Sequence, residues 1–425
     1  MEKTDLPSNK QEIEISFINY FGHVNKGDAA IILSMIDSLN EEFGEVRYTI
    51  ESWHPDEEKI DAEIFDALLK SKNLNSDIGR TYQTFVETLI KSVYLGSSLV
   101  KGRPSSNTLL LNSAEKKLIQ RLQHSDIILS VGGGYLLDSG GPDFLKHLYT
   151  LKIATLVDTP VMMYAQSIGP FTNPVYSRIT RSILEDTEYI TVRDHVSKKY
   201  LSQMGVSSPP VEVTADAAFL LTPEKPELDY GICTRSDQDF CVGLTVRDWN
   251  YPNSDRPKQR KQNYRREMSK VVDYVSSEYN SKIFFFSHTP NDVDEANRII
   301  DLSSVNSGVQ VLDPDTPPRE LKYLTGEMDL FIGTRMHSTI FSMAMGTPTI
   351  SIAYLPKSID LMNRLDLDPL VLKIENTDAE EIQEMIKKVL NDSEFQEKME
   401  VGIGQLQSLA RKNTEIVRDI IENQG

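Results

Sequence analysis

Short apolar runs rich in β-branched residues alternate with longer amphipathic segments along most of this chain. The short runs are typical of strands that are buried on both faces, and the segments between them have the apolar spacing of helices. Strands and helices that alternate in this way are typical of parallel sheets covered by helices. The sequence therefore predicts an α/β protein.

A stretch rich in proline and charge, residues 221–239, separates the expected strands into two groups. The first group is residues 12–20, 46–52, 126–131, 161–165, 189–192 and 211–214. The second group is residues 240–246, 282–287, 310–312, 329–332, 349–353 and 370–372, followed by closing helices over residues 378–390 and 393–423. A chain of 425 residues is long enough for two domains of about 200 residues each. We predict tandem α/β domains, residues 1–222 and 223–425, with a helical insertion at residues 55–123.

Charge and hydropathy limit the ligands and the location. The chain has 45 lysines and arginines against 63 aspartates and glutamates, a net charge of −18. Such a surface repels nucleic acid and anionic lipid over most of its area, so an anionic substrate requires a local cluster of basic residues. The first residues contain no apolar signal core, and no run approaches the length of a membrane span. We expect a cytoplasmic protein that does not bind nucleic acid.

Residues 331–357 give the strongest indication of chemistry. Arg335 and His337 follow an apolar run and Gly333, at the expected start of a helix. A planar guanidinium binds carboxylates and phosphates in bidentate fashion, and an imidazole titrates near neutral pH. Although a single histidine is more often structural, we predict that this pair binds an anion and moves a proton, with Ser338 in the same turn. Arg247, after the first strand of the second group, is a second candidate for the anion.

Glycine turns follow several strands of the first group. Residues 22–28 form one turn, in which Asn25, Gly27 and Asp28 precede a helix, and Gly133 and Gly134 belong to a triglycine turn. Free backbone N–H groups at such positions bind anionic or polar ligands. The alternative is that Asp28 is only a helix N-cap and that the glycines only make turns.

Further candidates stand at other strand ends. On that ground we predict that Gln166, Ser167, Arg193 and His288 bind substrate. Asp194 is most simply an N-cap, and Asp216 is more readily explained as structural. The basic stretch 255–267 is either a solvated helix start or a mobile loop over the cleft. The sequence has no HExxH motif, no paired metal-ligand spacing and no GxSxG motif, so we predict neither a metal nor a serine nucleophile.

Taken in order, these motifs resemble those of the polysaccharide pyruvyl transferase family. The matching pieces are GHVNKGDAAI (22–31), VGGGYLLD (131–138), QSIGPF (166–171), RD (193–194), TADAAF (214–219), VGLTVRDW (242–249) and GTRMHSTIFSMAMGTPTISIAY (333–354). The resemblance implies two Rossmann-like domains of GT-B type with a cleft between them. It also implies transfer of pyruvyl from phosphoenolpyruvate onto a sugar as a ketal, in cell-envelope polysaccharide biosynthesis.

Carried over to this chain, the resemblance implies that Arg335, His337 and Arg247 contact phosphoenolpyruvate, which is a co-substrate, and no cofactor is expected. His337 is the expected general acid, and Asp28 or Asp194 the group that orients or deprotonates the acceptor hydroxyl. The second domain is expected to hold the donor, and the first to hold the acceptor with help from the backbone at Gly27 and Gly133.

Several questions stay open at this stage. The acceptor is a free sugar, a nucleotide sugar or a lipid-linked glycan, and a lipid-linked acceptor would bring the enzyme to the inner membrane face through residues 82–103 or 255–267. Whether the chain forms a homo-oligomer is also open. The alternatives to pyruvyl transfer are a nucleotide-sugar glycosyltransferase or epimerase on the same fold, and a glycan-binding relative without catalysis.

Overall fold

A computed structural model of the protein describes residues 12–67, 113–138, 144–227, 229–232, 239–252, 254–305 and 307–424. The first sheet contains seven parallel strands in the described residues, in the order β3-β2-β1-β4-β5-β6-β7. The strands are β1 (Ile13–Tyr20), β2 (Val46–Ser52), β3 (Glu63–Asp66), β4 (Ile127–Ser130), β5 (Val161–Gln166), β6 (Tyr189–Val192) and β7 (Val211–Val213). The helices are α1 (Lys26–Phe43), α2 (Ser113–His124), α3 (Phe144–Ala154), α4 (Pro174–Leu184) and α5 (His195–Met204), followed by a 3₁₀ helix, Ala217–Leu220.

The second sheet repeats this arrangement with six parallel strands in the described residues, in the order β10-β9-β8-β11-β12-β13. The strands are β8 (Cys241–Thr245), β9 (Lys282–Phe285), β10 (Val309–Val311), β11 (Leu330–Gly333), β12 (Thr349–Ala353) and β13 (Val371–Lys373). The helices are α6 (Pro257–Tyr279), α7 (Pro290–Ile300), α8 (Pro318–Gly326), α9 (Met336–Ala344), α10 (Pro356–Asn363), α11 (Ala379–Asn391) and α12 (Ser393–Glu422). The expected α/β class with two Rossmann-like domains is confirmed.

Each sheet has a point where the direction of winding reverses. In the first sheet β1 pairs with β2 on one side and β4 on the other, and in the second β8 lies between β9 and β11. A crevice opens at the carboxyl ends of the strands at such a point and is the usual ligand site of doubly wound sheets. The loops after β1, β4, β8 and β11 carry the residues that the sequence singled out, so topology brings most of the candidates to two edges that face each other.

Helix α12 connects the two sheets. Its first half packs on the second domain, where a Cβ at Gly402 would lie 2.4 Å from Leu365. Its second half packs on the first domain: the Asn413 side chain is fully buried and accepts a hydrogen bond from the Thr214 hydroxyl at 2.8 Å. The C-terminal half of α12 therefore belongs to the packing of the first domain, although the helix follows the second domain in sequence. The division into residues 1–222 and 223–425 stays a prediction.

Two expectations from the sequence need correction. The segment 55–123 is not helical throughout, because Glu63–Asp66 forms edge strand β3 beside β2. This run is only four residues long and has an acidic residue at each end, so it lacks the apolar pattern of a buried strand. Residues 68–112, which include most of the expected insertion and residues 82–103, lie outside the described part of the chain.

The basic stretch 255–267 is the other correction, because it is the start of helix α6 rather than a loop over the cleft. Pro257 occupies the first turn, where its fixed φ favours a helix and its missing N–H removes no hydrogen bond. The solvated helix start was therefore the right alternative. Within the described ranges, no helix is both long enough and apolar enough to cross a bilayer.

Candidate active site

A cavity of about 210 Å³ lies between the carboxyl edges of the two sheets. The loops after β1, β4 and β6 line it from the first domain, and those after β9, β11 and β12 line it from the second. Its lining residues are Asn19, Tyr20, Phe21, Asn25, Asp28, Val131, Gly132, Gly134, Tyr135, His147, Arg193, His288, Arg335, Met336, His337, Tyr354 and Lys357. Both domains therefore contribute polar side chains to one cleft.

His337 stands where the two domains meet. It lies in the first turn of α9, and a Cβ placed on Gly27 of α1 would be only 2.1 Å from its Nδ1. Its buried Nε2 has no hydrogen-bond partner in the described structure and is 3.6 Å from Asp216 Oδ2, which is too far for a good hydrogen bond. The imidazole is thus fixed in place by packing and keeps a nitrogen for a ligand.

Asp216 forms a buried ion pair with Arg193 beside this histidine. Burial by itself would raise the pKa of the Asp216 carboxyl, but the charge of Arg193 and the adjacent His337 hold it below its ordinary value. Asp216 also caps the 3₁₀ helix by accepting a hydrogen bond from the backbone N–H of Ala218 at 2.9 Å. It therefore stays ionised and places a negative charge beside the imidazole of His337.

Asn25 and Asp28 form the opposite wall. Asn25 is the N-cap of α1, and its Oδ1 accepts a hydrogen bond from the Gly27 N–H at 3.1 Å. Its Nδ2 donates to Asp28 Oδ2 at 2.7 Å, which orients that carboxyl toward the cavity. Burial raises the pKa of Asp28, and the positive charges of His337, Lys357 and Arg193 only partly oppose that rise. A carboxyl with a raised pKa in a cleft is suited to accept and return a proton.

Arg335 is held rigidly by the second domain. It is the N-cap residue of α9, and its backbone N–H donates to Thr245 Oγ1 at 3.1 Å. Its guanidinium donates to Asp292 Oδ1 at 2.5 Å and to Thr289 Oγ1 at 3.1 Å. The buried Nε has no partner among the described residues. The side chain therefore enters the cavity with its charge balanced and part of its donor capacity unused.

His288 lines the cavity but has a restricted role. Its Nε2 is hydrogen-bonded to Ser338 Oγ, so that Ser338 faces His288 and does not line the cavity. Burial, and then the positive charge of Arg335, lower the pKa of His288 well below its ordinary value. His288 is consequently neutral at physiological pH and is suited to hydrogen bonding rather than to charge.

Arg193 and the triglycine turn belong to one hydrogen-bonded network in the first domain. Arg193 Nε donates to Ser167 Oγ at 2.8 Å, and Ser167 Oγ donates to Asp194 Oδ2 at 2.7 Å. The fully buried Gln166 donates to the backbone carbonyl of Ser130 at 3.1 Å. This hydrogen bond fixes the end of β4, which the triglycine turn follows. Gly134 reaches the cavity, while the carbonyl of Gly133 accepts a hydrogen bond from the Ser167 N–H at 2.8 Å.

Arg247 lies next to the cavity rather than in its lining. Its guanidinium carbon is 5.3 Å from the centre of the Tyr354 ring, and Tyr354 is the residue that lines the cavity at this point. Burial, and then the charge of Arg335, lower the pKa of Arg247. Its buried Nε has no partner among the described residues.

The structure thus brings together about half of the candidate set. The members that line the cavity are Asn25, Asp28, Gly134, Arg193, His288, Arg335 and His337. The others support them: Gly27, Gly133, Gln166, Ser167, Arg247 and Ser338. The chemical roles assigned to these residues stay predictions.

Sequence reasoning missed several lining residues. Lys357 follows Pro356 at the start of α10, after buried strand β12, which is the same signal that drew attention to Arg335. His147 lies on α3, with its ring stacked on Tyr135 at a centroid distance of 4.3 Å. Its Nδ1 is 3.1 Å from Asn19 Oδ1. Nothing in the local sequence marks His147, because only the packing of α3 against β1 brings it to the cavity.

Helix termini add to the positive potential here. Helices α1, α9 and α10 all begin at the cavity, with Asn25, Met336 and Lys357 at their first turns. Helix N-termini carry partial positive charge and free N–H groups, so they favour anions. A basic cleft is thereby built within an acidic chain. The described residues contain no group of three or more His, Cys, Asp or Glu side chains that could hold a metal ion.

Comparison with known proteins gives a family and a relative that match most of the chain. The sequence model of the polysaccharide pyruvyl transferase family matches residues 25–356. The amylovoran biosynthesis protein AmsJ of Erwinia amylovora is 25% identical, in an alignment that covers 94% of this chain and 97% of the relative. The family model covers parts of both sheets, from the start of α1 to the first residue of α10, and the alignment with the relative covers most of the chain.

Solved structures with similar folds include sugar-nucleotide enzymes. The UDP-GlcNAc 2-epimerase of Neisseria meningitidis, bound to UDP-GlcNAc, has a TM-score of 0.56 at 14% identity and covers 97% of this chain and 100% of its own. A glycosyltransferase of Rickettsia africae has a TM-score of 0.56 at 12% identity, with coverages of 97% and 99%. At these identities the likeness establishes the GT-B fold alone.

Proposed function

The chain belongs to the polysaccharide pyruvyl transferase family, and on that premise we propose that it transfers the pyruvyl group of phosphoenolpyruvate to a sugar. The acceptor is a sugar of a polysaccharide or of its precursor, the product is a ketal, and phosphate is released. Membership in the family supports the coarser statement that the protein is a transferase of polysaccharide biosynthesis. Phosphoenolpyruvate is a co-substrate in this proposal, and no cofactor takes part.

The observation that carries the proposal is the composition of the cavity. Arg193, Arg335 and Lys357 converge on it, and His337 faces Asp28 across it. Phosphoenolpyruvate carries a carboxylate and a phosphate on a small frame, so it requires several cations within a short distance. A proton must also reach its methylene carbon, which requires a general acid beside those cations.

The proposed reaction uses these groups in sequence. His337 gives a proton to C3 of phosphoenolpyruvate, and C2 acquires oxocarbenium character. A sugar hydroxyl adds to C2 while its proton passes to Asp28, the C2–O bond to phosphate breaks, and phosphate leaves. Asp28 passes the proton that it took to the departing phosphate. A second hydroxyl of the same sugar then adds to C2 and gives its proton to His337, which closes the cyclic ketal and restores the general acid. Arg335 holds the donor throughout, and Arg247 is the second arginine that we propose for the donor.

The test is a direct assay with the purified chain. Phosphoenolpyruvate is incubated with free glycans, nucleotide sugars and lipid-linked sugars, and phosphate release is measured together with ketal formation by mass spectrometry. We expect His337→Ala to lower the rate about 10²- to 10⁴-fold, the usual contribution of a general acid. The matched control is His124→Ala, which removes an exposed histidine at the end of α2. Full activity of His337→Ala would refute the assignment.

A second candidate function is a nucleotide-sugar glycosyltransferase or epimerase. It is favoured by the fold, since proteins named as such superpose on nearly the whole chain, and by helix N-termini that suit a diphosphate. Thermal unfolding separates the two. Stabilisation by UDP or GDP sugars without any by phosphoenolpyruvate supports this second candidate. Binding of sugars without turnover over a broad acceptor panel would indicate a glycan-binding protein instead.

A further inference from the structure

An arginine of the second domain donates hydrogen bonds to the main chain of the first domain beside the cavity. Arg364 is the C-cap residue of α10. Its Nη1 donates to the backbone carbonyl of Arg193 at 2.7 Å, and its Nη2 donates to that of Thr214 at 2.9 Å. These two residues directly follow β6 and β7, which are paired neighbours in the first sheet. The planar guanidinium therefore joins two adjacent strand ends to the other domain.

Helix α10 contacts the first domain at a second point, one turn earlier. Asp360 Oδ2 accepts a hydrogen bond from the backbone N–H of His195 at 3.4 Å, at the start of α5. The side chain of Arg364 is itself half-buried. Both of its acceptors are uncharged carbonyls, whose positions are set by β6 and β7. The contact of α10 with the first domain is thus geometrically defined.

The residues that Arg364 contacts belong to the charged part of the site. Arg193 forms the buried ion pair with Asp216, which is two residues after Thr214. Asp216 Oδ2 is 3.6 Å from Nε2 of His337, and His337 is on α9 of the second domain. The distance between these two side chains therefore depends on how the ends of β6 and β7 lie against the second domain. Arg364 acts at that contact.

From this arrangement we propose that Arg364 is a positioning residue for pyruvyl transfer. It is not among the residues that line the cavity. It holds the ends of β6 and β7 against the second domain, and thereby keeps Arg193 and Asp216 aligned with His337. The inference rests on the proposed function and adds a residue that acts on the reaction only through other residues.

Loss of this contact should affect catalysis more than donor binding. Arg335 is held within the second domain, by Asp292 and Thr289, so its position does not depend on Arg364. Arg364→Met keeps an unbranched side chain and removes both donors. We expect it to lower kcat about tenfold to a hundredfold, because small displacements at a catalytic group have effects of that size. The affinity for phosphoenolpyruvate, measured by calorimetry without an acceptor, should change by less than about threefold.

Two further variants separate positioning from stability. Arg364→Lys keeps a charged donor without the planar fork, so its kcat should lie between those of wild type and Arg364→Met. Arg411→Met, on the exposed side of α12, is the matched control and should leave kcat unchanged. All rates are measured at a temperature at which circular dichroism shows every variant to be folded. A purely structural role would lower the unfolding temperature and leave kcat of the folded enzyme at the wild-type value, which would overturn the proposal.

The imidazole of His337 supplies a readout that needs no turnover. Its ring signals in heteronuclear NMR spectra are identified by their loss in His337→Ala. In unliganded Arg364→Met we expect these signals to shift, because the charge of Asp216 moves relative to Nε2. The signals of the exposed His124 should stay in place. Wild-type positions for the His337 signals would overturn the proposal, and if Arg364→Met does not fold, the same comparison in Arg364→Lys decides.

The two proposals fail separately. If no acceptor receives pyruvyl, the proposed function is wrong, while a shift of the His337 signals in Arg364→Met still shows that Arg364 positions this side chain relative to the first domain. If the ketal forms and Arg364→Met has the wild-type kcat, the function stands and the positioning role of Arg364 is refuted.

Discussion

At the scale of single residues, the site depends on contacts between the domains that the sequence indicates only in part. Arg335, His337 and Asp28 were identified because each follows an apolar run at an expected helix start, and such positions meet at one edge of a parallel sheet. The pairing of Arg335 with Asp292 was not predictable, because the two residues are on different helices and no local pattern connects them.

Gly27 provides a test at this scale, because it is the surface against which His337 packs. In Gly27→Ala the new methyl group would lie 2.1 Å from Nδ1 in the present geometry, so the imidazole must move. We expect kcat/KM to fall about 10²-fold, since a displacement of about 1 Å at a catalytic group has an effect of that size. Phosphate release gives the rate, and circular dichroism confirms that the fold is kept.

The matched control for this prediction is Gly404→Ala on α12, where the added methyl group meets nothing within 4 Å. There the substitution should leave activity unchanged and stabilise the exposed helix by about 0.5–1 kcal/mol. Equal activity of Gly27→Ala and wild type would mean that displacement of the His337 imidazole does not affect kcat/KM, contrary to its proposed role.

At the scale of helices and strands, the sequence was informative where the pattern was long and apolar. Strands β2, β6 and β12 have the bounds that were expected. β6 and β12 are largely buried runs, and the apolar residues of β2 alternate with polar ones before its buried end. Strand β3 was missed because an exposed edge strand needs little apolar surface. The start of α6 was left undecided, since basic residues are compatible with both a helix and a loop.

At the start of α7, the carboxylate of Asp292 both caps the helix and pairs with a buried arginine. Asp292 Oδ2 accepts hydrogen bonds from the backbone N–H groups of His288 and Thr289 at 3.0 Å each. Its other oxygen pairs with Arg335. In Asp292→Ala the buried guanidinium loses its counter-ion, and we expect a loss of about 3–5 kcal/mol in the free energy of unfolding.

Urea denaturation measures this loss, with Asp378→Ala as the control. Asp378 caps the exposed start of α11 by accepting a hydrogen bond from the Glu381 N–H at 3.0 Å. An exposed cap contributes about 1 kcal/mol. If both variants lose the same amount, the ion pair with Arg335 contributes nothing beyond ordinary capping.

At the scale of the whole molecule, the sequence predicted the tandem sheets but not how they are joined. The closing helix over residues 393–423 was expected, and α12 occupies Ser393–Glu422. Its return to the first domain was not predictable, because an apolar helix face does not indicate which of the two sheets it packs against. Asn413 is a buried polar residue that contributes to this docking, through Thr214 and the backbone carbonyl of Ala215.

Asn413→Ala tests whether this contact holds the two sheets together. The substitution leaves the Thr214 hydroxyl and a buried carbonyl without their partner, which costs about 1–3 kcal/mol. We expect a lower midpoint of urea denaturation followed by circular dichroism. Gln405→Ala, on the exposed side of the same helix, should leave the midpoint unchanged, and the docking would be unimportant if the two variants behaved alike.

The return of α12 also limits how the molecule can move. The chain passes from one sheet to the other after the 3₁₀ helix, Ala217–Leu220, and passes back along α12. The two domains are thus covalently connected at two places. The relative motion that strains these connections least is a rotation of one domain about the line that joins them. Such a rotation changes the separation of Gly134 from Lys357 and of Gly27 from His337 together. Opening the cleft therefore separates both pairs of facing residues in a single step, and closing it brings both pairs together again.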